Sequence, residues 1–153
     1  MHNIRSAYNV GSVFRTADGA GVSKIFLTGY TPLPYNFQKE VYPTVAQKMI
    51  AKTALGAEKT VSWEKAGNVA QLFGKLKKEG VMIIALEQAK TSVCIDKFKP
   101  IFPCALILGN EVKGIDKKIL KKTDAIVEIP MRGKKESLNV SVAAGIAIYS
   151  ILK

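Results

Sequence analysis

Residues 81–86 read VMIIAL, an unbroken apolar run one glycine away from residues 66–79 (AGNVAQLFGKLKKE), where Val69, Leu72, Phe73 and Leu76 recur at i, i+3, i+4 and i+7. The first pattern fits a strand with both faces covered, and the second an amphipathic helix. Four more runs of strand length flank this pair: 24–28 (KIFLT), 60–63 (TVSW), 104–108 (CALIL) and 125–129 (AIVEI). Strands alternating with helical segments predict an α/β fold, a mainly parallel sheet with helices on both faces. Ligands of such a sheet bind beyond the carboxyl ends of its strands. The turns after Leu86, Leu108 and Ile129 are therefore the places to search.

The 153 residues suit one domain with one buried core. With 48% apolar and 23% charged residues, the composition is that of an ordinary soluble globular protein. The apolar run 140–152 is too short to span a bilayer, and residues 2–6 are polar where a signal peptide would need an apolar segment. A cytoplasmic location without membrane association is expected. Cys94 and Cys104 lack CxxC or Cys/His spacing and read as buried thiols. His2 is the sole histidine, which leaves no material for a histidine triad or a zinc site, so no metal is expected.

Lys and Arg total 23 against 12 Asp and Glu, a net +11 that attracts polyanions such as nucleic acid. Between residues 113 and 135 stand Lys113, Lys117, Lys118, Lys121, Lys122, Arg132, Lys134 and Lys135, facing only Asp116, Asp124 and Glu128. This basic stretch leads into a last helix rich in small residues: Ser141, Ala143, Ala144, Gly145 and Ala147. Such residues suit close approach of another chain segment. The long loop 29–43 (GYTPLPYNFQKEVYP) reads equally as a substrate loop or a crossover.

Gly19-Ala20-Gly21 lacks the third glycine of a dinucleotide fingerprint and reads as a helix end. Gly109 and Gly114 have phosphate-loop spacing, but Ile115 and Asp116 stand where Lys and Ser or Thr are required. What remains is LGNEVKGID (108–116), a strand end with a glycine turn and a carboxylate. There Gly109 permits close approach of a ligand, and Glu111 is a hydrogen-bond acceptor or a brace for an arginine. Residues 9–22 predict a helix capped by Asn9 with Val10, Val13, Phe14 and Ala17 on its buried face. Arg15, next to that face, calls for a partner, either Glu111 or a bound phosphate.

Three stretches then come together in order. Asn3-Ile4-Arg5 with Asn9, Gly11 and Arg15-Thr16-Ala17, then Leu106-Ile107-Leu108-Gly109-Asn110-Glu111 with Gly114, then Ile129-Pro130-Met131 with Ser137-Leu138-Asn139-Val140-Ser141, resemble the three motifs of the SpoU (TrmH-like) branch of the SPOUT RNA methyltransferases. The resemblance covers nearly the whole chain. It implies a C-terminal deep trefoil knot, in which the last segment threads through a loop and builds a pocket for S-adenosylmethionine. It further implies a homodimer and transfer of a methyl group to a ribose 2'-hydroxyl of tRNA or rRNA. Leu86, Gly109, Ile129, Met131, Ser137 and Leu138 correspond to cofactor-binding positions. Arg15, Asn9, Glu111 and Asn139 correspond to catalytic positions. A guanidinium stays protonated, so Arg15 is expected to bind phosphate and stabilise a developing alkoxide and not to act as a base. A non-catalytic RNA-binding protein of the same fold and a base methyltransferase remain the alternatives. Relatives in the family usually carry a strand and often an RNA-binding extension ahead of the point where this chain begins, at Met1-His2-Asn3-Ile4. An incomplete sheet edge is therefore expected.

Overall fold

The computed structural model describes residues 1–153. Helix α1 (Ala7–Gly19) starts at Ser6, whose side chain accepts from the Asn9 amide at 3.3 Å. The cap is thus Ser6 and not Asn9, because a short hydroxyl reaches back to the third helical amide while Asn9 already lies within the first turn. Val10, Val13, Phe14 and Ala17 are buried as their spacing predicts. Gly21, just beyond the helix, has φ of 70° and ends it. Strand β1 (Ile25–Thr28) follows, then the long loop, then α2 (Val45–Ala54). A capping box starts α2: the Gln47 amide donates to Thr44 Oγ1, and the Gln47 side chain accepts from the Thr44 amide.

A short helix α3 (Ala57–Thr60) displaces the expected strand at 60–63, and β2 is Trp63–Ala66. The chain continues through α4 (Val69–Lys78), β3 (Met82–Leu86), β4 (Val93–Cys94), a 3-10 turn (Ile95–Lys97), β5 (Cys104–Leu108), α5 (Lys117–Leu120), β6 (Ala125–Glu128) and α6 (Val140–Ile151). All strand pairs are parallel. β1 pairs with β2, and the other four strands are ordered β4-β6-β3-β5.

The central stretch 81–86 shows why an unbroken apolar run was needed. Ile83 and Ala85 pack among Leu72, Phe73 and Leu76 of α4, whereas Ile84 packs with Ala147 and Ile151 of α6. Successive side chains of a strand point to opposite faces, and both faces here are helix-covered. A further cluster joins α1, α2 and β1 to Leu108 and Ala144. Cys94 and Cys104 are free thiols, but they are half-buried and not buried as expected. β4 is a short edge strand, and Cys104 lines a cavity between β1 and β5.

The segment Met1–Asn3 holds the place of a strand between β1 and β5. The His2 amide donates to the Leu108 carbonyl at 2.9 Å, the Thr28 amide to the Met1 carbonyl at 3.0 Å, and the Asn3 amide to the Thr28 carbonyl at 3.2 Å. Only this short segment joins the two halves of the sheet by backbone pairing.

Candidate active site

At the carboxyl ends of β3, β5 and β6 lies a cavity of about 380 Å³. Its lining includes Leu86, Gly109, Glu111, Ile129, Met131, Ser137 and Leu138, so three separated stretches of sequence meet there. All six predicted cofactor residues belong to that lining. The turn after β5 forms one wall. Buried Asn110 accepts from the Val112 and Lys113 amides at 2.9 and 2.8 Å and donates to the Asn3 carbonyl and Tyr30 Oη, both at 2.9 Å. Glu87 braces the same turn by accepting from the Ile115 amide at 2.8 Å.

Gly109 is needed for a different reason from the one its sequence context suggests. A Cβ there would lie 2.5 Å from Ile115 Cγ1 and 2.7 Å from the Gly114 carbonyl carbon. The close approach is made by the chain's own turn as well as by whatever fills the cavity.

Glu111 anchors the entry to α1. It accepts from the Arg5 amide at 2.9 Å, the Ser6 amide at 3.0 Å and Asn9 Nδ2 at 3.1 Å. Burial alone would raise its carboxyl, but these donors outweigh it and hold the group below the usual carboxylate range. A carboxylate so occupied is a brace and a poor general base. Asn9 Oδ1 in turn accepts from Asn139 Nδ2 at 3.1 Å, and Asn139 caps α6 through the Ser141 amide. Asn9, Glu111 and Asn139 therefore form one hydrogen-bonded arc beside the cavity, tying the first motif to the other two.

Arg15 is not part of that arc. It is exposed, makes no hydrogen bond or ion pair, and does not line the cavity. Of the two partners the sequence offered for Arg15, Glu111 or a bound phosphate, the Glu111 pairing is absent. Arg15 lies six residues beyond Asn9, about 9 Å along the helix and two-thirds of a turn past a full turn. It is exposed instead of lying against the apolar face, which removes the need for a buried partner.

The electrostatics were not foreseen from sequence. Glu87, Glu111, Glu128 and Glu136 line the cavity and no Lys or Arg does, although the chain carries +11 overall. The basic residues stand outside: Lys113, Lys117, Lys118, Lys121, Lys122, Arg132, Lys134 and Lys135 are all exposed on the turn, α5 and the loop before α6. A Gln88 side chain donating to the Glu136 carbonyl at 2.6 Å ties that loop across the mouth. The loop at 29–43 stays outside the cavity, touching its wall only through Tyr30. No group of three or more His, Cys, Asp or Glu is placed to hold a metal ion, and no helix is long and apolar enough to cross a membrane.

Residues 1–149 match the SpoU rRNA methylase family. The chain belongs to that family. Among SpoU relatives, a tRNA (guanosine(18)-2'-O)-methyltransferase of Aquifex aeolicus is 32% identical over 147 residues, covering 96% of this chain and 64% of its own length. A 23S rRNA (guanosine-2'-O-)-methyltransferase of Ralstonia nicotianae is 30% identical, covering all of this chain and 57% of its own length. The chain thus spans less than two-thirds of the length of these curated SpoU proteins. In structure it resembles the A. aeolicus TrmH/SpoU tRNA-modifying enzyme, with TM-score 0.83, 29% identity and coverage of 99% of this chain and 71% of that one. An AdoMet-bound rRNA methyltransferase from Sinorhizobium meliloti gives TM-score 0.83 at 26% identity, covering 97% of this chain and 52% of that one. The mainly parallel α/β architecture is therefore that of SpoU enzymes.

Proposed function

We propose that this protein is an S-adenosylmethionine-dependent RNA methyltransferase that modifies a ribose 2'-hydroxyl of tRNA or rRNA. The observation that carries this reading is one acidic cavity lined by the second and third motif regions, with the first motif region tied to it through Glu111 and Asn139. A volume of about 380 Å³ suits a small cofactor. Four glutamates with no lining cation favour a ligand bearing positive charge, and S-adenosylmethionine carries a sulfonium and an ammonium. When bound, that cofactor supplies an electrophilic methyl group. Leu86, Gly109, Ile129, Met131, Ser137 and Leu138 would hold it, largely by backbone groups and apolar contact. The hydrogen-bonded arc of Asn9, Glu111 and Asn139 fixes the walls around the reacting groups, so its members are positioning residues.

The exposed lysines and Arg132 outside the mouth give a polyanion its landing surface. A C-terminal trefoil knot accords with the tie between Gln88 and Glu136 and with α6 lying against β3. We further propose a homodimer. Helix α6 is apolar all round, and Val142, Ile146 and Tyr149 are about half-exposed, which suits cover by a second copy. Arg15 lies on α1, which packs against α6, so a dimer through this face would offer Arg15 to the partner's cavity. There it would bind RNA phosphate and stabilise the developing alkoxide. Acting on RNA, the enzyme would work in the cytoplasm.

The test is incubation with labelled S-adenosylmethionine and total small RNA, then nucleoside mass spectrometry. A 2'-O-methylated nucleoside is expected. Salt-sensitive RNA binding without any methyl transfer would favour the non-catalytic RNA-binding reading, and a methylated base would reassign the acceptor atom.

A further inference from the structure

The loop between β1 and α2 holds more internal order than a crossover needs. Its start is anchored: Thr31 is buried and accepts from the Ile4 amide at 3.1 Å, and Tyr30 Oη accepts from Asn110 in the cavity wall at 2.9 Å. Its tip is closed, because the Lys39 and Glu40 amides both donate to the Asn36 carbonyl at 3.0 Å and Tyr35 Oη donates to the Glu40 carbonyl at 2.9 Å. The Glu40 carboxylate accepts from the Asn36 amide at 3.0 Å and from Gln47 Nε2 at 2.9 Å, which ties the tip to α2.

A loop ordered only for folding would turn its apolar side chains inward. Instead Phe37 and Tyr42 are 78% and 82% exposed, and Val41 and Val45 are 82% and 70% exposed. Single exposed apolar residues are ordinary, but four within residues 37–45 mark an interaction surface. Charge selects the partner. Between residues 19 and 57 Glu40 is the sole carboxylate, and its oxygens are engaged as above, whereas Lys39, Lys48 and Lys52 are exposed. Aromatic faces interleaved with lysines fit a ligand that has flat apolar faces and a negatively charged backbone, which is unpaired RNA. A duplex offers phosphates but keeps its base faces stacked. A second copy of this chain, at +11, would bring like charge to the lysines.

We propose that this loop is a base-stacking platform: Phe37 and Tyr42 stack on unpaired nucleotides flanking the modified one, and Lys39 and Lys48 contact their phosphates. The hydrogen bond from Asn110 to Tyr30 joins the platform to the cavity wall, so RNA held on the loop is placed in a set relation to the cavity. The closed tip needs little further ordering when RNA binds. The inference rests on the proposed RNA substrate and narrows it to a nucleotide with unpaired neighbours.

The experiment measures fluorescence anisotropy of a labelled oligoribonucleotide of about 12 nucleotides, single-stranded and annealed to its complement. Joint Phe37→Ala and Tyr42→Ala substitution is expected to weaken single-strand binding at least about tenfold and to leave duplex binding unchanged. Phe37→Trp should keep single-strand affinity, while Phe37→Leu, apolar but without a π face, should lose it as Phe37→Ala does. Joint Lys39→Gln and Lys48→Gln substitution should lower the single-strand slope of log affinity against log salt by about 1.4. Full single-strand affinity in the aromatic double variant or in Phe37→Leu would overturn the platform, as would an equal loss of duplex affinity. A wild-type dimer that becomes monomeric in the aromatic double variant, read by sedimentation, would assign the patch to a second copy instead. Methyl transfer to total small RNA separates the two levels. Transfer by the wild type with unimpaired binding by the double variant removes the platform alone, whereas a wild type that neither transfers methyl nor binds RNA removes the RNA substrate with it.

Discussion

The two cavities of this molecule are opposites built from one sheet. The one at the carboxyl ends of β3, β5 and β6 is walled by turns whose polar groups are nearly all engaged: Glu111 takes three donors, and Asn110 makes four hydrogen bonds. The one between β1 and β5 is walled by apolar helices and strand edges and holds a buried amine with a single hydrogen-bond acceptor. Local polar satisfaction makes the first rigid before any ligand arrives. The second is an interrupted core, bounded by two strands that do not pair with each other. The difference separates a preorganised polar cavity from a gap in the folding scaffold.

The sharpest break of this contrast is Gly109→Val. Its side chain would run into the Gly114 backbone, so we expect a loss of about 3 kcal/mol by overpacking, together with loss of cofactor binding. Chemical denaturation and calorimetric titration with S-adenosylmethionine check both; retained affinity would remove Gly109 from the site wall.

The buried Met1 amine predicts a pH response. The unfolded amine holds its proton up to about pH 8, its ordinary value of 8.0, while the folded one releases it above about 5. Between these values the unfolded state binds more protons, so stability rises with pH through that window. A change on the order of 3 kcal/mol is expected across it, and His2 adds to it below its ordinary 6.5. Burial lowers His2 first and the adjacent ammonium second, against a smaller raising effect of Asp116. Denaturation curves from pH 5 to 8 for the free and N-terminally acetylated protein would measure this, and equal slopes would refute the assignment to the amine.

Glu111→Ala frees the Arg5 and Ser6 amides and should cost about 2 kcal/mol, with Glu111→Gln recovering part of it. Ser6→Ala removes only the α1 cap and should cost about 1 kcal/mol. Both are read by urea unfolding. Arg15→Ala should change stability by less than about 0.5 kcal/mol, since an exposed side chain without partners is removed. It should nevertheless abolish methyl transfer while cofactor affinity holds. Full transfer by this variant would exclude Arg15 from the reaction.

Much of the fold was legible because strands buried on both faces must be apolar throughout, as 81–86 is, and because α1 and α4 repeat apolar residues with helical spacing. Helix α2 escaped because Ala46, Met49 and Ile50 follow a proline-rich loop that masks the periodic start. α3 escaped because a four-residue helix has too few turns to show a period. At the candidate site, the six residues that motif order assigned to a cofactor all line one cavity, yet its acidic lining was invisible: Glu87, Glu111, Glu128 and Glu136 are scattered among many more lysines.

Sequence by itself determined the parallel α/β class, the buried faces of α1 and α4 and the turns where the cavity lies, because periodicity and motif order are local properties of a chain. The tertiary structure alone decided that Glu111 braces Arg5 and Ser6 and leaves Arg15 unpartnered, that a basic protein surrounds an acidic cavity, and that β1 and β5 stand apart. Each of these depends on which distant residues meet and on how much water the meeting excludes, and neither is written in the spacing of residues along the chain.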